Sequence, residues 1–376
     1  MEWWVVTLLN GISFGLLLFL LSAGLTLTLS LMGILNFAHA SFYMLGAYAA
    51  FALTEQIGFF PALLLSPVLV GLFGAWIESS LLRRAKHKGH VSELMLTFGV
   101  AMLVFEGVTL VWGHGPVDYR IPPVFEGAFV SVYGHSFSNY RAFMMAIALL
   151  MAGGIWLGLN RTRFGLVIQA ARTHPEMVSC LGHDVPRIFK WVFAGGAGLA
   201  GLAGVIGGNA FVTEPNMAMG MGNLLFVVII VGGLGSLAGA FWCALLLGTL
   251  QTMAVTLTVS IADVLKNLTT LGGLSAPNFD GIPHWMAQPL SNFAPLLPYV
   301  LLVVVLTWRP QGLWGRGQAA LVVHGDGCPT ACVHDQLQHQ PDDANAGGHP
   351  HLPELPSTFE SGRDAQFRPC HLHGGR

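Results

Sequence analysis

The run WWVVTLLNGISFGLLLFLLSAGLTLTLSLMGIL, residues 3–35, holds no ionisable side chain over 33 positions. A helix needs about 20 apolar residues to cross a hydrocarbon core roughly 30 Å thick, so this stretch reads as a membrane span with residues to spare. It is either one tilted helix or two shorter segments joined near residues 22–24. Seven further apolar stretches follow, at 39–54, 60–82, 91–112, 141–159, 190–209, 222–257 and 293–307. The stretch at 222–257 contains Gly232, Gly233, Leu234, Gly235 and Ser236, which read as a turn dividing it into a broken pair. The fold class is therefore all-α integral membrane: a polytopic helical bundle of about eight transmembrane helices with broken or re-entrant segments.

Composition agrees. Hydrophobic residues make up 53% of the 376 and charged residues only 10%, against about a quarter charged in a soluble domain. Forty-seven glycines would weaken helices in water, but between membrane helices they let backbones approach closely. The net charge of -2 argues against a nucleic-acid partner. No basic segment precedes the first apolar run, so the N-terminus reads as retained rather than cleaved as a signal. Of five cysteines, Cys180 and Cys243 lie in the membrane-type region and three lie near the C-terminus, with no disulfide framework legible.

Orientation follows from lysine and arginine, which short cytoplasmic loops accumulate. Arg83, Arg84, Lys86 and Lys88 fall in one loop; Arg161, Arg163, Arg172, Arg187 and Lys190 fall in another; Arg309 and Arg316 follow the last span. The opposite loops hold only Arg120, Arg141 and Lys266 before residue 320. The basic face is expected to be cytoplasmic. Trp112, Trp191 and Trp308 stand at span ends, where an indole prefers the headgroup zone.

From Gln318 onward the chain is rich in His, Pro and Gly and poor in large apolar residues. Residues 1–317 read as the membrane domain and 318–376 as a disordered tail. Cys328, Cys332, His334, Cys370, His371 and His373 are too loosely spaced for a zinc site, and no metal is assigned.

Four segments carry more than composition. The first runs from Gly24, Leu25 and Thr26 to Asn36, Phe37, Ala38, His39 and Ala40, then Met44, Leu45, Gly46, Ala47 and Tyr48. The second holds Arg163, Phe164 and Gly165, then Ala170, Ala171 and Arg172, then Glu176 to Gly182. The third is Gly232, Gly233, Leu234, Gly235 and Ser236 with Gly239; the fourth is Arg309, Pro310, Gln311, Gly312, Leu313 and Trp314. In order and spacing these resemble the signature of branched-chain amino acid ABC permeases over residues 5–317. Ala40 stands where that family usually has Gly. Ser179 and Cys180 replace small alanines.

An Asn and a His inside apolar sequence need polar partners, so Asn36, His39 and Ser41 are candidates for a helix break lining the translocation pathway. The alternative is that Asn36 caps the following helix and His39 satisfies a backbone carbonyl. The resemblance implies that Arg163, Gly165, Arg172, Glu176 and Gly182 belong to a loop coupling the chain to an ATPase. Pro175 suits the first turn of a short helix there, and Gly182 its C-terminal end. The glycine-rich third segment is no phosphate-binding loop, since no Lys-Ser or Lys-Thr follows. With Gly196, Ala200, Gly204 and Gly208 at every fourth position, Gly232, Gly233, Gly235 and Gly239 are assigned to close packing and bends. Glu78 and Glu93 are expected to pair near the basic loop, while Glu106 stands alone in an apolar span.

The implied function is that of a permease subunit of an ATP-binding cassette importer in the bacterial inner membrane, moving branched-chain amino acids. No cofactor is expected in this chain, with ATP and Mg bound by partner subunits. The implied partners are a second permease subunit, two ATP-binding subunits, a periplasmic substrate-binding protein and membrane lipid. A urea or amide permease of the same family, or an ATP-independent secondary transporter, is the alternative. No clustered nucleophile, acid or base suggests an enzyme.

Overall fold

The computed structural model describes residues 3–33, 35–86, 89–132, 135–257, 260 and 288–314. The expected tail at 318–376 lies outside the described residues, as does Lys266.

Helix α1, Trp3–Met32, is one continuous helix of 30 residues. Of the two readings of this stretch the structure shows the single helix: it continues through 22–24, where the Ser22 hydroxyl donates to the Phe19 carbonyl at 3.0 Å and Gly24 packs on Gly196 of a later helix. At 1.5 Å per residue α1 is about 45 Å long, more than a perpendicular crossing requires. It is apolar around its circumference, and Leu16 to Leu21 are all nearly inaccessible, the pattern of a helix packed on every side.

Helix α2, His39–Ile57, ends at Gly58, whose φ of 85° stops the helix. Helix α3, Phe59–Ile77, continues through a π-helical turn at Glu78–Leu82 into α4, Arg83–Lys86. Helix α5, His90–Trp112, follows. The connection to α6, Asn139–Arg161, contains an antiparallel hairpin of β1, Ala128–Val132, and β2, His135–Ser138. That hairpin is an addition to the all-helical reading, which gave the segment no regular structure.

Two short helices precede the next long one: α7, Arg163–Thr173, and α8, Pro175–Cys180. Helix α9 spans Val185–Ala210, α10 Met217–Gly232 and α11 Leu237–Thr256. A 3-10 turn at Leu290–Leu296 leads into α12, Leu297–Trp308. The stretch at 222–257 is thus a pair of helices, divided where Gly233 and Gly235 take φ of 102° and 81°. Ser236 starts α11, its hydroxyl accepting from the Gly239 amide at 3.1 Å.

Among the described residues, seven helices are long and apolar enough to cross a membrane: Trp4–Met32, Phe59–Ala85, His90–Trp112, Asn139–Arg161, Val185–Ala210, Leu237–Thr256 and Ser291–Trp308. The 16-residue α10 and α2, which includes His39, Glu55 and Gln56, complete the bundle. The protein is a multi-pass, all-α membrane protein.

Helix α9 is the hub, touching α1, α2 and α3. A Cβ added at Gly196 would lie 2.8 Å from the Gly24 carbonyl oxygen of α1, and one at Gly46 of α2 would lie 2.5 Å from the Gly201 Cα. These helices meet backbone to backbone, which only glycine permits.

The three basic segments share one end of the bundle. The Arg83 guanidinium donates to the Pro186 carbonyl at the start of α9, 3.3 Å away. Leu31, at the end of α1, packs with Ile168, Ala171 and Val178 of α7 and α8 and with Val185 and Ile188 of α9. Segment 309–314 folds back under the α10–α11 turn, with the Leu313 amide donating to the Val231 carbonyl at 2.8 Å. Two carboxylates sit near this end beside basic side chains: Glu78 pairs with Arg83 at 3.6 Å, and Glu93 lies 3.4 Å from the His90 ring. The partner of Glu93 is one turn back on its own helix rather than in the basic loop.

Candidate functional site

The chain between α1 and α2 leaves helical geometry inside the bundle. Gly33 has a φ of 69°, and the chain then turns so that His39 lies against mid-α1, its Nε2 donating to the Leu21 carbonyl at 3.0 Å. Asn36 closes a local turn, its Oδ1 accepting from the Ala38 amide at 3.0 Å, and its carbonyl accepts from the His39 amide at 3.3 Å. The break is held from the side by α5: the Phe37 amide donates to Thr97 Oγ1 at 3.4 Å, and Ser41 Oγ donates to the Ala101 carbonyl at 3.4 Å.

Asn36, His39 and Ser41 are brought together and buried, at 1%, 1% and 4% exposure. His39 on the Leu21 carbonyl matches the structural alternative, whereas Asn36 does not cap α2, whose N-cap is Ala38 without a side-chain bond, and closes a turn just before it instead. Even so, Asn36 Nδ2 and His39 Nδ1 have no hydrogen-bond partner among the described residues. Each keeps one polar valence at a helix break, where irregular backbone in a membrane is tolerated only inside protein or beside water. Replacing Asn36 with Ala is expected to cost about 1 kcal/mol of stability through the lost turn, measured by thermal unfolding in detergent. Impaired transport at undiminished stability would instead mark Asn36 as pathway lining.

The second candidate region is α7–α8. Thr162 starts α7, its hydroxyl accepting from the Gly165 amide at 3.0 Å. Gly165 is buried against the end of α6, where a Cβ would overlap the carbonyls of Gly158 and Leu159. Gln169 ties the same turn down, its amide donating to the Leu159 carbonyl at 2.8 Å. Pro175 occupies the first turn of α8 and Gly182 follows its end with a φ of 85°. Arg163, Arg172, Glu176 and Gly182 are exposed.

The element is amphipathic in a specific sense. Ile168, Ala171 and Val178 are buried against the bundle, while Phe164, Leu166, Met177 and Leu181 are more than half exposed. At a basic end, four exposed apolar side chains on two consecutive short helices are more than scattered single residues would give. Sequence reading picked out the polar residues here and passed over these; the signal was a hydrophobic residue at 177 and again at 181, one turn apart on the outer face.

Gly232 and Gly239 face each other across the α10–α11 turn, a Cβ at Gly232 lying 2.7 Å from the Gly239 carbonyl carbon. Gly233 meets Gly312 of the folded-back segment, and Gly204 meets Tyr43 of α2. The third and fourth sequence segments are therefore one structural unit.

A polar cluster at the opposite end was not anticipated. The Tyr140 hydroxyl donates to the Ile206 carbonyl at 2.8 Å. Asn209, with its amide nitrogen turned toward them, reaches the Tyr119 and Arg120 carbonyls at 3.2 Å each. Burial pushes the Tyr119 phenol up to about 12, so it is neutral at physiological pH. The cluster joins the connection after α5 to the end of α9.

Comparison with known proteins places this geometry. The family described as branched-chain amino acid transport system / permease component matches residues 7–306, which is most of the chain. The chain belongs to that permease family. Among its relatives, the high-affinity branched-chain amino acid transport system permease protein BraD of Pseudomonas aeruginosa is 26% identical over 330 residues, covering 84% of this chain and 97% of BraD. The corresponding permease protein LivH of Escherichia coli K12 is 24% identical over 332 residues, 83% of this chain and 96% of LivH. The nucleoside ABC transporter permease protein NupC of Lactococcus lactis is 27% identical over 289 residues, 73% of this chain and 83% of NupC. No solved structure matches. Membership extends from α1 into α12 and so includes the break, the amphipathic pair and the glycine-rich turn of this permease.

Proposed function

We propose that this permease is the membrane-spanning subunit of an ATP-binding cassette importer in the bacterial inner membrane, translocating branched-chain amino acids under power from separate ATPase subunits. The observation that carries the reading is the α7–α8 pair: a short element anchored into the bundle by Ile168, Ala171 and Val178, presenting Met177 and Leu181 outward among basic residues. A nucleotide-driven motion in another subunit must cross a noncovalent contact, and a rigidly seated apolar knob is what such a contact grips. Arg163, Arg172 and Glu176 then flank the docking surface, while Gly165 and Gly182 set its turns.

The basic end faces the cytoplasm by the positive-inside rule. ATP and Mg are bound by the partner ATPases, a second permease subunit completes the passage, and a periplasmic binding protein delivers the solute. Similarity to BraD and LivH over nearly their whole lengths favours an aliphatic amino acid as that solute. Asn36, His39 and Ser41 mark where α2 can shift against α1 as the passage opens.

The test is reconstitution of the chain with its ATPases, second permease and binding protein in proteoliposomes. Leucine uptake is expected to require ATP on the side of the basic face and to vanish without the ATPase subunits. Uptake driven by an ion gradient alone would overturn the reading in favour of a secondary transporter.

A further inference from the structure

Helix α5 packs one face on the bundle, through Glu93, Thr97, Val100, Ala101, Val104 and Val108, and leaves the other open. On that open face stand Leu103 at 74% exposure, Glu106, and Leu110 at 89%. Glu106 has no hydrogen bond or ion pair among the described residues. A Cβ built at Gly99 or Gly107 would find nothing within 4 Å, so the backbone itself is accessible on both sides of the carboxylate.

Carboxylates do not face hydrocarbon: within membrane helices they turn to a protein partner or to water. Glu106 lies six residues before the end of α5, about 9 Å along the axis. Its side chain leans toward the helix N-terminus, as helical side chains do, and hence toward the middle of the span rather than out to the nearer interface. Reaching interfacial water by stretching outward is therefore the unfavourable direction.

Resting on the permease reading above, we infer that the open face of α5 lines the aqueous passage and that Glu106 receives the ammonium group of a zwitterionic amino acid there. The chemistry is complementary on two counts. A carboxylate in a partly desolvated setting binds an alkylammonium by a charge-assisted hydrogen bond. Leu103 and Leu110, one turn to either side, offer apolar surface to an aliphatic side chain, and Gly107 leaves room between them.

Two measurements on the full transporter decide the matter. In proteoliposomes, Glu106→Gln is expected to lower leucine uptake at least about tenfold, the loss of one charge-assisted bond, while Glu106→Asp retains part of it and both variants co-purify with all subunits. Unchanged uptake would overturn the inference, since a lipid-facing or spectator carboxylate predicts it. Loss of subunit co-purification would overturn it equally, showing that Glu106 pairs with a basic group of the second permease.

The second measurement reads the passage without transport. Glu106→Cys is expected to react with a membrane-impermeant, charged methanethiosulfonate well above the wild-type background, and leucine-loaded binding protein is expected to slow that reaction. Absence of labelling would place the position in lipid. Wild-type uptake remains the separate control for the permease reading, so a chain that labels at 106 yet imports no leucine would refute the solute and keep the passage.

Discussion

Replacing Met177 and Leu181 together with aspartate is expected to abolish ATP-driven uptake while leaving the membrane bundle folded. These side chains are 67% and 78% exposed and Val178 between them is 4% exposed, so the two charges enter solvent on the outer face of α8 and disturb nothing beneath it. Apolar anchors at the centre of a protein contact are worth roughly 2 kcal/mol or more each. Losing two of them, and burying carboxylates in their place, weakens association with the ATPases more than about a hundredfold. Co-purification of ATPase subunits and uptake in proteoliposomes should fall together, with unfolding temperature in detergent unchanged. Val178→Asp is the contrasting variant: it forces a charge into the cluster with Leu31 and Ile188 and should lower the unfolding temperature itself. Full uptake by the Met177/Leu181 double variant would remove the docking role from α8.

Gly204→Leu is expected to destabilise the bundle strongly by forcing α2 and α9 apart. The Cβ alone would overlap the Tyr43 carbonyl oxygen and come within 2.9 Å of its carbon and 3.0 Å of the Ala47 nitrogen. Backbone cannot swing aside as a side-chain tip can, so α2 and α9 must separate. That separation also breaks the Gly46–Gly201 approach and exposes the cluster around Tyr43 and Tyr140. Overpacking of a tight core costs about 1–3 kcal/mol, and a clash against main chain falls at the upper end or beyond. Gly195→Ala on the same helix is the control, since nothing lies within 4 Å of its Cβ position. Thermal unfolding of purified protein should separate the two by many degrees; equal stabilities would mean that the α2–α9 contact is dispensable.

Much of this architecture was legible from residues alone because lipid imposes simple rules. A span must be long and apolar, and its backbone must bond to itself, so the spans could be read from hydropathy and the α10–α11 break from Gly233 and Gly235. Pro175 and Gly182 bounded a short helix for equally local reasons, a fixed φ at one end and a positive φ at the other. Where a feature depends on what lies across the bundle, the reading stopped. Ser22 and Gly24 left open whether α1 was one helix or two; α9 takes Gly24 as a packing site, and the helix is continuous. The hairpin at residues 128–138 lacked an apolar alternation strong enough to announce it.

The candidate site divides in the same way. Asn36, His39 and Ser41 stood out because polar groups in apolar sequence are conspicuous, yet only the fold shows them tied to Leu21 and Ala101. Met177 and Leu181 were invisible as site residues, since nothing in a helical hydrophobic residue tells whether its partner is the bundle or another protein. Glu106 was conspicuous for its charge, but its open surroundings are a property of which face α5 turns to α2.

By itself the sequence determined that this protein has the apolar helices of a multi-pass membrane protein and to which family it is similar, and its basic loops set the expected orientation, because those follow from composition and local spacing. Tertiary structure alone decided that two glycine motifs far apart in the chain meet at the basic end, Gly312 against Gly233, and which apolar faces remain uncovered. Burial is a relation between segments far apart in the chain, and no local pattern contains it.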